Sequence, residues 1–211
     1  IAGAHTGVSV GPDGGTHQAL EDIAITRCLP NLVVLAPCDS VETKKATIAA
    51  ARFNGPVYFR FTREKTPVMT LPETPFEIGK AQVFKEGKDV VLIGCGPVLY
   101  NGYKAAVELE KEGLSVMVVN SPSIKPLDEH TVLQAAKSCG AVVTLEEHQI
   151  MGGFGSAVAE FLAKKLPVPI EFVGVNDRFG ESGTPEELIK HFGLGLESIK
   201  HALRAAYARK K

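Results

Sequence analysis

The chain has 211 residues, enough for one large domain or two small ones. Apolar residues make up 45% and charged residues 22%, an ordinary globular balance, and a net charge of −1 excludes the basic excess with which nucleic-acid and membrane-surface binders track phosphates. Cys28, Cys38, Cys95 and Cys139 are scattered without Cys-x-x-Cys pairing, which argues against zinc or disulfides and for a reducing, cytoplasmic setting; no apolar run reaches the ~18 residues of a membrane span.

In chain order, Ile1-Ala2-Gly3 has no start-like character, so the chain is expected to begin inside a domain. Residues 9–22 read SVGPDGGTHQALED. Gly11, Gly14 and Gly15 permit a sharply turned backbone, and a helix is expected from Thr16, with Leu20, Ile23 and Ala24 on its apolar face. Leu32–Ala36 is a continuous apolar run, as in a strand covered on both faces. Asp39 followed by Glu42 predicts an N-cap for a helix through Ala51, ended by Gly55-Pro56. Val57–Thr62 alternates as a strand with two unlike faces. Pro67 to Pro75 holds three prolines and reads as an extended linker.

Beyond it the pattern is self-contained. Strands are expected at Ala81–Phe84, Asp89–Ile93, Ser115–Val119, Ala141–Leu145 and Ile170–Val175. Helices are expected around Tyr100–Glu112, from the Asp128 cap through Lys137, at Gly155–Lys165, near Pro185–His191 and at Leu196–Ala208. Alternation of this kind predicts an α/β sheet with helices on both faces. The expected organisation is a partial α/β domain over residues 1–66, a linker over 67–78 and a complete domain over 79–211.

Several motifs invite chemistry. Gly94-Cys95-Gly96 follows a strand, but Leu99 stands where a dinucleotide fingerprint needs its third glycine, and the next strand ends on Asn120 rather than an acid. A tight turn is the simpler reading. Gly152-Gly153-Phe154-Gly155 fits either an anion cradle or close packing of a helix start on a sheet. Glu146-Glu147-His148 ends a strand and fits acid–base work, a subunit contact or a solvated edge. His130, His191 and His201 read as surface or interface histidines.

The dense constellation is His5, Asp13 and His17, with Arg63 near the end of a strand. One reading makes Asp13 a cap and His17 a surface group. The other makes the loop a site for an oxygen-rich anionic ligand at a helix start, with the Arg63 guanidinium on a phosphate.

The stretch from His5 to Gln18, HTGVSVGPDGGTHQ, resembles the transketolase motif. The likeness continues through Leu29-Pro30-Asn31, Ala36–Asp39, Gly55–Tyr58 and Arg60–Arg63. Ile124–Asp128, Leu145–His148 and Gly152–Gly155 are similar to the family's C-terminal domain. The resemblance implies the C-terminal part of a thiamine diphosphate pyrimidine-binding domain, followed by a transketolase C-terminal α/β/α sandwich with a largely parallel sheet. It implies a transferase that passes a two-carbon ketol unit from a ketose phosphate to an aldose phosphate. His5 and Arg63 would hold the sugar phosphate, Asp13 a sugar hydroxyl, and His17 would face both cofactor and reacting carbonyl as the catalytic proton-transfer group. Thiamine diphosphate and Mg2+ would be held through an upstream segment or an N-terminal partner subunit, and a homodimer is expected. A 1-deoxy-D-xylulose-5-phosphate synthase and a non-catalytic assembly or regulatory module on the same fold remain as alternatives.

Overall fold

The computed structural model describes residues 1–210. In chain order the first elements are β1 (Ala2–Gly3), α1 (Asp22–Arg27), β2 (Val33–Leu35), α2 (Ser40–Arg52) and β3 (Val57–Arg60). There follow β4 (Gln82–Lys85), β5 (Val90–Gly94), α3 (Leu99–Lys111), β6 (Val116–Asn120), β7 (Ser123–Lys125) and α4 (Glu129–Cys139). The last are β8 (Val142–Gln149), α5 (Phe154–Lys165), β9 (Ile170–Val175), α6 (Pro185–His191) and α7 (Leu196–Ala208).

The strands form two sheets, ordered β1-β3-β2-β7 and β4-β6-β5-β8-β9. In the first sheet β1, β3 and β2 run parallel and β7 antiparallel. In the second, β6, β5, β8 and β9 run parallel, with β4 antiparallel at one edge. Two largely parallel sheets in an α/β fold agree with the sequence expectation. Their central strands are apolar runs because helices cover both faces; every residue of β2, β5 and β6 is buried.

Caps fix the helix starts where the sequence places them. Asp39 accepts from the Glu42 N–H at 2.8 Å, and Asp128 from the Thr131 N–H at 3.0 Å. Asp39 also accepts from the N–H groups of Met69 and Thr70 at 2.7 and 2.6 Å. The proline-rich segment is therefore extended but anchored at its centre. Burial and these donors act in opposite directions on the Asp39 carboxyl, and the donors hold it below the usual range.

The sequence reading does not anticipate β7. This strand leaves the second unit after β6 and pairs with β2, Lys125 opposite Val34 and Ser123 opposite Leu35. Asn120 then donates to Glu42 across the junction at 2.7 Å. One apolar cluster runs through both units, from Ile23, Val34 and Tyr58 to Ile93, Val119 and Phe154. Each such fully buried side chain contributes about 1.5–3 kcal/mol relative to exposure, so the two sheets are packed as one body.

One local expectation fails. No helix starts at Thr16: Gly14–Thr16 is a single 3₁₀ turn, and helix α1 begins only at Asp22. The intervening backbone is used otherwise, since Ala19 exchanges hydrogen bonds with His5 and Gly7. The two unlike faces of β3 are both buried, Val57 to Arg60 throughout, because the second unit covers the side that carries Tyr58 and Arg60.

Candidate active site

His5 and Arg63 emerge just beyond the carboxyl ends of the parallel neighbours β1 and β3, the side on which open α/β sheets place ligands. His5 has φ 57°, a left-handed conformation unusual for a side chain other than glycine. The neighbouring hydrogen bonds impose it. Ala19 N–H donates to the His5 carbonyl at 3.0 Å, and Gly7 N–H to the Ala19 carbonyl at 2.9 Å. The His5 and His17 rings are thereby brought to 6.2 Å between centroids.

The loop between them is held by the second unit. Gln18 donates through Nε2 to the carbonyls of Val8 at 3.0 Å and Glu181 at 2.9 Å. Gly14 has φ 73°, and a Cβ there would run into the Ser182 hydroxyl. A Cβ on Gly15 would meet the Gly180 carbonyl oxygen at 2.7 Å. Both glycines are thus required by close approach of residues 180–182. Gln18 and the 180–182 segment are positioning groups that sequence reasoning missed. The only signal was the glycine pair itself, which showed a close approach but not to what.

Asp13 makes no cap; its carboxylate forms an ion pair with the Arg63 guanidinium. The two groups expected at different parts of a substrate therefore face each other here. Both are substantially exposed, at 35% and 43% of their side chains, and such pairs contribute about 0–1 kcal/mol. A phosphate could displace the carboxylate from the guanidinium at little cost, because the pair is exposed and a phosphate can engage the guanidinium through two oxygens. His17 Nδ1 lies 2.9 Å from the Thr16 hydroxyl, and that hydroxyl also reaches the Asp13 carbonyl at 3.4 Å. His17 is exposed, so its ring is open to a ligand.

Beneath the loop is a second ionic cluster, and here the Glu146-Glu147-His148 triplet departs from expectation. It is neither a solvated edge nor a surface contact of this chain; all three residues are buried. Arg60 donates through Nε to Asp22 at 2.9 Å and through a terminal nitrogen to the Glu147 carbonyl at 2.7 Å. Tyr58 donates to the same Asp22 oxygen at 3.0 Å. Ser9 N–H donates to the Glu147 carboxylate at 2.6 Å, pinning the start of the loop. His148 Nε2 accepts from the N–H groups of Ile23 and Ala24 at 3.1 and 3.3 Å, where α1 begins, while its Nδ1 bonds the Gln149 carbonyl at 2.7 Å. That arrangement needs a neutral ring, and burial with the nearby Arg60 cation pushes its pKa down to about 4.

The glycine run before α5 combines both of its readings. Its amides do hold an acidic group, but an internal one: Phe154 and Gly155 N–H donate to the Glu146 carboxyl oxygens at 2.7 and 2.8 Å. A Cβ on Gly155 would crowd the Thr144 hydroxyl at 2.5 Å, so packing also demands glycine. Burial still raises Glu146, to about 8. This motif therefore offers no free anion site.

His191 does have partners, Glu181 at 3.2 Å and Arg178 at 2.6 Å, but stays half exposed. All four cysteines are free thiols. Among the described residues no group of three His, Cys, Asp or Glu side chains could hold a metal ion, and no helix is long and apolar enough to cross a membrane.

The fold and site define a two-sheet α/β protein with two imidazoles and an exposed acid–guanidinium pair at the mouth of its first sheet. Residues 1–69 match the pyrimidine-binding domain of transketolase and residues 79–199 its C-terminal domain; the chain belongs to the transketolase family. It is 42% identical over 202 residues to a Methanocaldococcus jannaschii protein named as a transketolase C-terminal section, covering 94% of this chain and 63% of that one. It is 39% identical to the 1-deoxy-D-xylulose-5-phosphate synthase of Trichormus variabilis, over 96% of this chain and 33% of that one. A solved split-gene transketolase, described as an inactive β4 tetramer, superposes with a TM-score of 0.93 at 41% identity, over all of this chain and 67% of that one. The chain thus spans about 63% of the length of its archaeal relative.

Proposed function

We propose that this chain is the substrate-side part of a thiamine diphosphate-dependent transketolase, moving a two-carbon ketol unit between sugar phosphates. The observation that carries the reading is the convergence of His5, Asp13, His17 and Arg63 at the carboxyl ends of β1 and β3. Two imidazoles, a carboxylate and a guanidinium suit a phosphorylated polyol and the proton transfers of ketol exchange. Thiamine diphosphate, when bound, supplies the carbanion and electron sink. His17 would face it and take or give a proton at Nε2 on the reacting sugar oxygen. Arg63 and His5 would hold the sugar phosphate, and Asp13, released from Arg63, a hydroxyl near the carbonyl. Residues that hold the cofactor's diphosphate and its Mg2+ would come from an upstream segment or an N-terminal partner subunit. The inactive β4 assembly described for the 41% identical relative supports both self-association and the need for that partner.

The test mixes this chain with its N-terminal partner and measures transfer from xylulose 5-phosphate to ribose 5-phosphate. Transfer that depends on both chains is expected, and its absence contradicts the reading. The likeness to the Trichormus synthase supports a second reading, condensation of pyruvate with glyceraldehyde 3-phosphate. That pair of substrates, run in the same mixture, separates the two.

A further inference from the structure

The three-residue 3₁₀ turn Val8–Val10 lies between the two imidazoles in the chain, and it has no cap of its own. It starts at Gly7, which has no side chain to accept from the free N–H groups that open a helical turn. The group that does so comes from the second unit. Glu147 of β8, 138 residues away, accepts from the Ser9 N–H at 2.6 Å. Gly7 is required for this approach: its φ is 89°, and a Cβ there would run into the Glu147 carboxyl.

Both ends of the contact are anchored. Glu147 is buried, and its backbone carbonyl accepts from Arg60 at 2.7 Å, which donates in turn to Asp22 at 2.9 Å. On the loop side Val8 and Val10 are fully buried, and the Val8 carbonyl accepts from Gln18 Nε2 at 3.0 Å. Gln18 directly follows His17, and Asp13 lies on the stretch between the turn and Gln18. Hydrogen bonds thus run from β8 through the turn to the neighbour of His17. Among the described residues Glu147 itself bonds none of His5, Asp13, His17 or Arg63, so any effect it has on them passes through the loop.

We propose that Glu147 is a positioning residue for the transfer chemistry: its carboxyl caps the Val8–Val10 turn from across the unit boundary and so sets where Asp13 and His17 stand. The assignment rests on the transketolase reading of the site. It gives the second unit a task in the reaction although none of the substrate-facing side chains belongs to it. A misplacement of about 1 Å at a catalytic group can cost on the order of 100-fold in rate, so a cap of this kind is felt in turnover.

Three variants separate the cap from charge and bulk. Burial raises the Glu147 carboxyl above its usual range, so a neutral amide is a close stand-in, and Glu147→Gln keeps an acceptor at the same reach. Glu147→Asp keeps a carboxyl but draws it back by one methylene, and Glu147→Ala removes it. In the mixture with the N-terminal partner, Glu147→Asp and Glu147→Ala should lose roughly tenfold or more in kcat. The phosphosugar KM should stay within about threefold, because Arg63 follows β3 and is not carried by the loop. Glu147→Gln should stay within about threefold of native in both. The His5 and His17 ring signals in the NMR spectrum of the chain alone should move in the two impaired variants and hold in Glu147→Gln. Native kcat and ring signals in a folded Glu147→Asp or Glu147→Ala would overturn the proposal, and Glu147→Asp carries the test if Glu147→Ala does not fold. Glu147→Gln as impaired as Glu147→Ala would overturn it too. An inactive native mixture would contradict the transketolase reading instead, and the ring signals would then decide for Glu147.

Discussion

Asp13 with Arg63 and Asp22 with Arg60 are the same two residue types paired in one chain, yet they have opposite physical situations. The first pair stands at the loop mouth with side chains 35% and 43% exposed; the second is buried, at 9% and 4%. In solvent an ion pair contributes little and exchanges easily, which suits groups that must let a ligand in. Buried, the pair is fixed by hydrogen bonds from Tyr58 and to the Glu147 carbonyl, and removing one partner strands the other charge. The buried pair is scaffold; under the proposed function the exposed pair is the working surface it supports.

Arg60→Leu should break that comparison most severely. It leaves Asp22 charged and buried, so a loss of about 3–5 kcal/mol is expected in urea unfolding. Next, Gly14→Ala places a methyl on the Ser182 hydroxyl at a left-handed backbone position. A cost of about 1–3 kcal/mol is expected in the same assay, with a marked fall in any activity that depends on the loop.

The third effect is a pH dependence of the buried cluster. Glu146 is protonated in the fold up to about pH 8, against an ordinary value of 4.5, so its contribution is whole below 4.5 and is lost as pH rises toward 8. His148 runs the other way, its contribution being lost as pH falls from 6.5 to about 4. The two slopes offset each other between 4.5 and 6.5. Above 6.5 Glu146 remains, with the buried Glu147 raised in the same direction, and stability should fall by about 1.4 kcal/mol per pH unit or more toward pH 8. Unfolding midpoints measured from pH 6.5 to 8 should show this slope in the native chain and a flatter one in Glu146→Gln. The smallest stability effect belongs to Arg63→Ala, about 1 kcal/mol or less.

The sequence made the elements and the exposed quartet legible, because they rest on local signals: capping acids at Asp39 and Asp128, apolar runs at β2 and β5, and the motif from His5 to Gln18. It did not disclose β7, whose three residues have no partner in sequence and become a strand only against β2. Nor did it disclose the burial of Glu146, Glu147 and His148. Charged residues at a strand end look solvated until a second unit packs over them. Arg60 carried a usable signal, a guanidinium inside an otherwise apolar and aromatic strand, which asks for a buried counter-charge. Asp22 could not be matched to it without knowing that α1 starts there rather than at Thr16.

The central claim is that His5, Asp13, His17 and Arg63 work on a phosphorylated sugar while the buried cluster around Asp22 and Arg60 only supports them. Steady-state ketol transfer by the two-chain mixture, with native chain and with Arg63→Ala, tests this most directly. The account predicts a KM for the phosphosugar raised roughly tenfold or more, as a charge-assisted phosphate contact is lost, at nearly native stability. An unchanged KM in a folded, active Arg63→Ala mixture would contradict it.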